Sequence, residues 1–262
     1  MINSKVNVNR RKFIVNSAAV SAISVIPFAS LYASEGGDVF ESDLGQFMAY
    51  PIEHASIVFK TPKGVIYADP VGDVALYAAH PNPDLILITH EHGDHFNLET
   101  LAGLIGDNTK LITNPSVFEM LDASMQAKAS MLKNGEQGDW NGVKIDAIAA
   151  YNTTEERKNF HPQGRDNGYV VDFDGFRIYI SGDSEDVPEM RAITDIDVMF
   201  LCMNLPFTMT AEAAASAVAD IKPKFVYPYH WRGKDGGTQD PAKFAELVGE
   251  TAEVNIADWY PE

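Results

Sequence analysis

Cysteine is almost absent: a single Cys202 in 262 residues rules out an internal disulfide. It sits in the apolar run Val198-Met199-Phe200-Leu201-Cys202-Met203, the setting of a buried structural thiol rather than of a nucleophile or metal ligand. No Gly-x-Ser-x-Gly elbow occurs, so hydrolysis by an activated serine of that kind has no support. Positive charge is also scarce, with 20 Lys and Arg against 37 Asp and Glu and a formal net charge of −17. Four of those bases (Lys5, Arg10, Arg11 and Lys12) and none of the acids precede Glu35, so the remainder is more acidic still. Such a field repels polyanions, and nucleic acid is not an expected partner. Long hydrophobic runs are missing too. Ala18 to Phe28 is interrupted by Ser21, Ser24 and Pro27 and falls short of the roughly 20 residues of a membrane span, so no stable membrane anchor is expected.

What the first residues do contain is a basic start, Asn9-Arg10-Arg11-Lys12-Phe13-Ile14-Val15, a mildly apolar Ala/Ser-rich run and small residues from Ala29 to Ala33. This resembles a twin-arginine signal peptide over residues 1–33, with cleavage expected after Ala33. The expectation is export to the periplasm or beyond by the machinery that reads the leader. Residues 34–262 are then enough for one domain with a substantial core.

A polar linker is expected from Ser34 to Asp43, then strands at Ile52 to Lys60 and Val65 to Ala68 around the turn Thr61-Pro62-Lys63-Gly64. Leu85-Ile86-Leu87-Ile88 reads as a buried strand. Helices are expected at Asn97 to Ile105, Ser116 to Asp122, Thr210 to Asp220 and Pro241 to Gly249. Further strands are expected at Lys110 to Thr113, Val143 to Ala150, Gly168 to Phe173, Arg177 to Ser181, Asp197 to Met203 and Phe225 to Tyr229. A long polar loop fills Tyr151 to Asn167. Strands come first in pairs and later alternate with helices, a pattern that suits two sheets flanked by helices, an α/β fold.

Histidine is rare, seven in all, yet three fall in Thr89-His90-Glu91-His92-Gly93-Asp94-His95, directly after the buried strand. Strand C-terminal ends are where α/β sheets carry their sites. The i, i+2 spacing of His90 and His92 suits a curled loop rather than one helix face, and Gly93 permits the bend. Imidazole and carboxylate at this density favour zinc, with iron or manganese as competitors. Capping of the next helix is the plain alternative for Asp94. His161, Asp183 and His230 each stand where a strand meets a loop. Singly, each has a dull explanation. With the first cluster they make five histidines and two aspartates on what would be one rim of the sheets.

The order His-x-His-x-Asp-His, then His, then Gly-Asp, then His resembles the metallo-β-lactamase superfamily, over essentially all of the chain past the leader. The phrases Phe160-His161-Pro162-Gln163-Gly164, Gly182-Asp183-Ser184 and Tyr227-Pro228-Tyr229-His230 are similar to the small stand-alone hydrolases near the ascorbate-6-phosphate lactonases and phospholipase-D-like members. The resemblance implies a single-domain αββα four-layer sandwich with a dinuclear site on its edge, probed most simply as two zinc ions. It implies His90, His92 and His161 on the first ion, Asp94, His95 and His230 on the second, and Asp183 bridging. Asp69 matches the strand-end aspartate that supports the His-rich turn from behind; its alternative is an ordinary Asp-Pro strand terminator.

That ligand set implies hydrolysis of a small ester, lactone, amide or phosphoester by a metal-bound hydroxide, with Asp94 both ligand and proton acceptor. Lys158 and Arg165 flank His161, and Trp231 and Arg232 follow His230; cations here hold an anionic group of the substrate or are solvated loop charges. His54, early in its expected strand, lines the pocket or is a satisfied core or surface histidine. Phe207 to Thr210 lies near the pocket or serves through Thr210 as a helix cap. An iron redox enzyme on the same fold is the rival, against which stands His92 where that group is expected to carry Glu. A non-catalytic metal-binding protein is the third reading, and the complete ligand set opposes it. The leader generates one prediction: Arg10→Lys with Arg11→Lys leaves precursor in the cytoplasm, scored by fractionation and immunoblot. Undiminished export of the double variant would point to the general secretory route.

Overall fold

The computed structural model describes residues 36–260. The expected leader at 1–33 lies outside them. Strand β1 (Asp38–Ser42), β2 (Gly45–Glu53), β3 (Ser56–Thr61), β4 (Gly64–Ala68), β5 (Leu85–Ile88), β6 (Lys110–Thr113) and β7 (Ala129–Met131) form one sheet in that order. Strand β8 (Gln137–Trp140), β9 (Val143–Ala150), β10 (Asp166–Phe173), β11 (Phe176–Ile180), β12 (Val198–Cys202), β13 (Phe225–Tyr229) and β14 (Glu253–Val254) form the other, again in sequence order. In each sheet the first four strands pair antiparallel and the last four run parallel. The halves thus repeat one topology, although no short sequence repeat announces it.

Alternation along the strands decides which layer each side chain enters. Ile57, Phe59, Ile66, Ala68, Leu85 and Leu87 join Phe173, Ile178 and Phe200 in the core between the sheets, where Phe59 and Phe200 meet edge to face at 5.4 Å. Their neighbours Val58, Tyr67, Ile86 and Ile88 point the other way, onto Leu101 and Leu104 of α1 (Leu98–Leu104), Val117 of α2 (Pro115–Met120) and Met125 of α3 (Ala123–Gln126). Both faces of β5 are therefore covered, which is why Leu85-Ile86-Leu87-Ile88 is an unbroken apolar run. Each such side chain contributes about 1.5–3 kcal/mol by burial. On the second sheet α4 (Pro188–Arg191), α5 (Ala211–Ile221) and α6 (Pro241–Val248) supply Met190, Ala214, Val218 and Phe244 to the core. The architecture is an α/β sandwich of two mixed sheets with helices, a single domain, as the chain's pattern led one to expect. Among the described residues no helix is long and apolar enough to cross a membrane.

Two expectations need correction, and one segment is unread in the sequence. The stretch Ser34 to Asp43 is not all linker: β1 pairs with β2, and Phe40 is buried against Phe225 and Tyr227, a contact no local pattern reveals. Ile52 to Lys60 is not one strand. The chain turns at His54 and Ala55, between the paired Glu53 and Ser56, with His54 at φ 53. No Gly, Asn or Pro marks that turn, so it reads as continuous β. The segment between Asp122 and Val143 holds α3, β7 and β8, too short for periodicity to register. Thr210, by contrast, caps α5, accepting from the Ala213 N–H at 3.2 Å.

Cys202 is fully buried, its Sγ 3.4 Å from the Ser184 carbonyl, and burial pushes its thiol up to about 12. The native protein at pH 8 is expected to resist alkylation and to react stoichiometrically once denatured, read by mass spectrometry. Rapid native labelling would place the thiol at the surface.

Candidate metal centre

The C-terminal ends of β4, β5, β11, β12 and β13 open on the same rim, and each delivers a polar side chain there. After β4, Asp69 takes φ 44 and is completely buried. Its carboxylate accepts from the Thr89 N–H at 2.8 Å and the Thr89 hydroxyl at 2.6 Å, and meets His95 Nδ1 at 2.8 Å. It thereby fixes the start of the turn that carries His90, His92, Asp94 and His95. Gly182, at φ 59 after β11, lets the chain pass within 2.8 Å of the Asn167 carbonyl from where a Cβ would stand, and so sets Asp183 in the middle.

Four of the rings share one arrangement. His90 Nδ1 lies 3.0 Å from the Thr89 hydroxyl, His95 Nδ1 2.8 Å from Asp69, His161 Nδ1 3.0 Å from Asp166, and His230 Nδ1 2.8 Å from the Asn204 amide. With Nδ1 engaged, each Nε2 faces inward. His95 Nε2 is 3.3 Å from Asp183 Oδ1, while His161 and His230 Nε2 stand 3.5 and 3.4 Å from its Oδ2. His230 Nε2 is also 3.3 Å from Asp94 Oδ2. The rings of His90, His92 and His161 stand 4.7–5.0 Å apart, centroid to centroid. Among the described residues three donor groups result, each with all ligand atoms within 4.8 Å of one another: His90, His92 and His161; His90, His95 and Asp183; His54, Asp94 and His230.

A divalent ion fits this donor set. The Nε2 atoms of His90, His95 and His230 and Oδ1 of Asp183 are buried without a hydrogen-bond partner, a costly state unless something electrophilic satisfies them. Rings held through Nδ1 with Nε2 turned inward are arranged as metal-bound histidines are. Burial, then the nearby His95, keeps His90 well below the ordinary histidine pKa, and burial with His161 lowers His92; both are thus neutral, the form that binds metal. Burial alone would raise the Asp183 pKa, but the rings of His230, His95 and His161 outweigh it and hold the group ionised. Burial likewise opposes a charged His95, and Asp183 and Asp69 reverse that, raising it well above its usual value. Asp94 is half exposed at 48%, and contacts from His230 and His54 overcome its desolvation to keep it a carboxylate.

The remaining sequence candidates divide. Arg165 does not stand free for an anion: Nε meets Asp166 Oδ1 at 2.6 Å, one terminal nitrogen donates to Asp166 Oδ2 at 2.9 Å and to the Phe160 carbonyl at 2.8 Å, and the other pairs with Glu91 at 3.1 Å. It ties the His161 loop to the His-rich turn. Lys158 pairs with Glu155 at 2.7 Å in solvent. Trp231 is half-buried beside the Tyr260 ring at 4.7 Å, and Arg232 lies over that ring at 4.1 Å. Sequence reasoning missed Thr89, Asp166, Asn204 and Tyr260. Only Asp166 left a signal, five residues after His161 in the sequence; it is the first residue of β10.

Comparison with known proteins matches residues 50–230 to the beta-lactamase superfamily domain. A UPF0173 metal-dependent hydrolase of Thermococcus onnurineus is 33% identical over 178 residues, 66% of this chain and 78% of that protein. The crystal structure of a protein from Parabacteroides distasonis, assigned as a metal-dependent hydrolase, superposes with a TM-score of 0.76 at 37% identity, covering 86% of this chain and 99% of the other. Igni18, a metallo hydrolase of Ignicoccus hospitalis, shares the fold at a TM-score of 0.67 and 21% identity, over 80% of this chain and 94% of its own.

The hydrogen bond from His161 to Asp166 generates a prediction. Asp166→Ala frees the ring and also releases Arg165, so metal affinity is expected to fall about 10- to 100-fold in competition with a chromophoric chelator. Unchanged affinity would show that the loop alone orients His161.

Proposed function

The chain belongs to the metallo-β-lactamase superfamily, and on that footing we propose that it hydrolyses a small ester, lactone, amide or phosphoester using two divalent ions, zinc in the simplest case. It is a metal-dependent hydrolase of this fold. The observation that carries the two-ion reading is the set of buried, hydrogen-bond-free Nε2 and Oδ1 atoms around Asp183, each ring locked from behind. A small-molecule substrate accords with the acidic surface, and the sequence of the leader supports action in the periplasm or outside the cell.

Bound divalent ions supply Lewis acidity and bring the pKa of water toward neutrality. The chain's own residues divide the remaining work. His90, His92 and His161 would hold one ion, Asp94, His95 and His230 the other, with Asp183 between them. Asp69, Asp166 and Asn204 fix the rings from behind. Asp94 is the carboxylate of the set that reaches the open side, at 48% exposure against 4% for Asp183. It is therefore the group placed to take a proton from the attacking water on its carboxylate and pass it to the leaving group.

Metal analysis of protein purified without chelator, followed by a panel of lactones, phosphodiesters, amides and β-lactams, tests this reading. About two zinc ions per chain are expected; a coloured iron protein inert to every hydrolytic substrate would favour the redox alternative. On the best substrate, Asp94→Asn at full metal occupancy is expected to lose about 10²–10⁴-fold in kcat. Near-native turnover with full metal would remove Asp94 from proton transfer.

A further inference from the structure

The turn between β2 and β3 places a histidine where a histidine is a poor choice. Two-residue hairpin turns favour Gly, Asn or Asp wherever φ is positive. His54 occupies that position at φ 53. It is held there on both sides of its backbone: its N–H donates to the Trp259 carbonyl at 3.0 Å, and its carbonyl accepts from the His230 N–H at 3.2 Å. Residues in such conformations persist where the surroundings over-determine them, and they collect at functional sites.

The side chain repeats the arrangement of the rings around Asp183. His54 Nδ1 meets the Tyr260 hydroxyl at 2.8 Å, and Nε2 stands 3.3 Å from Asp94 Oδ2. The ring lies 3.8 Å from that of His230, centroid to centroid, and His54, Asp94 and His230 form one of the three donor groups closed within 4.8 Å. Tyr260 is itself fixed, by the Arg232 N–H at 3.2 Å and the Arg232 guanidinium over its ring at 4.1 Å. A turn that needed only to turn would be served better by Asn. A histidine exposed for solubility would not have its outer nitrogen engaged by a tyrosine.

We propose that His54 is a further metal-site residue, giving the second ion an imidazole beyond Asp94, His95, His230 and the shared Asp183, and that Tyr260 holds it in the ligating orientation. The proposal rests on the two-ion reading above. It makes the two ions inequivalent. The first would have His90, His92, His161 and Asp183, whereas the second would have one protein donor more and correspondingly less room for water. Divalent ions that accept nitrogen ligands and expand to five-coordination, zinc and cobalt(II) among them, are the class that suits it.

The test uses cobalt(II) titrated into the metal-free full chain, followed by calorimetry and visible absorption, for wild type, His54→Asn and Tyr260→Phe. Asn tolerates positive φ, so His54→Asn keeps the turn while removing the imidazole. Wild type is expected to take two ions; His54→Asn binds the first normally and the second about 10-fold or more weakly, with altered bands for the second ion. Tyr260→Phe leaves the ring present and weakens the second ion by a smaller factor. If His54→Asn binds both ions within roughly twofold of wild type with an unchanged spectrum, His54 is no ligand, although the two-ion reading survives. If wild type takes up fewer than two, the two-ion reading fails and this proposal with it. If His54→Asn loses both ions while Tyr260→Phe matches wild type, His54 serves the turn alone and the proposal is overturned.

Discussion

Everything at the rim depends on burying imidazoles and carboxylates side by side, largely withdrawn from solvent. Each buried polar atom must find a partner or exact a desolvation penalty of about 1–3 kcal/mol. The chain meets this demand from one side. Asp69, Thr89, Asp166 and Asn204 satisfy the outer nitrogen of four rings and leave the inner nitrogens turned toward Asp183. The geometry of the centre is thus set by residues that do not face it. Those residues are in turn set by the strand ends from which they project.

The sequence was most informative where local chemistry and local pattern coincide. His90, His92, Asp94 and His95 follow directly on a strand buried on both faces, so cluster and position could be read together. His161, Asp183 and His230 were legible as strand-end residues, and the structure does bring them to that rim. Less legible were the partners whose meaning is tertiary. Tyr260 stands 206 positions from His54, and nothing local in Asn204 or Thr89 marks either as a ring-holder. The turn at His54 was hidden because its positive φ is imposed by hydrogen bonds to Trp259 and His230 rather than by a turn-forming residue. Arg165 shows the opposite failure. Its sequence neighbourhood suggested a reader of anions, but Asp166 and Glu91 already occupy its guanidinium.

The acidic surplus of the chain looks different beside this site. A protein repelling anions at long range can still attract one at short range where cationic metal outweighs its neighbours. The open side of the centre, where Asp94 emerges, is where those two fields would meet.

The repeated topology of the two sheets has a consequence for cohesion. The His-rich turn grows from the first half, and His161, Asp183 and His230 come from the second. Each of the three donor groups draws on both halves, so an ion seated there would act as a rivet through the seam between them. Ligand linkage gives that rivet a strength: an ion at 100 times its dissociation constant adds about 2.7 kcal/mol to the folded state. The same linkage runs backward. Separation of the half-molecules would discharge the ion, so the catalytic centre doubles as a gauge of whether the sandwich is shut.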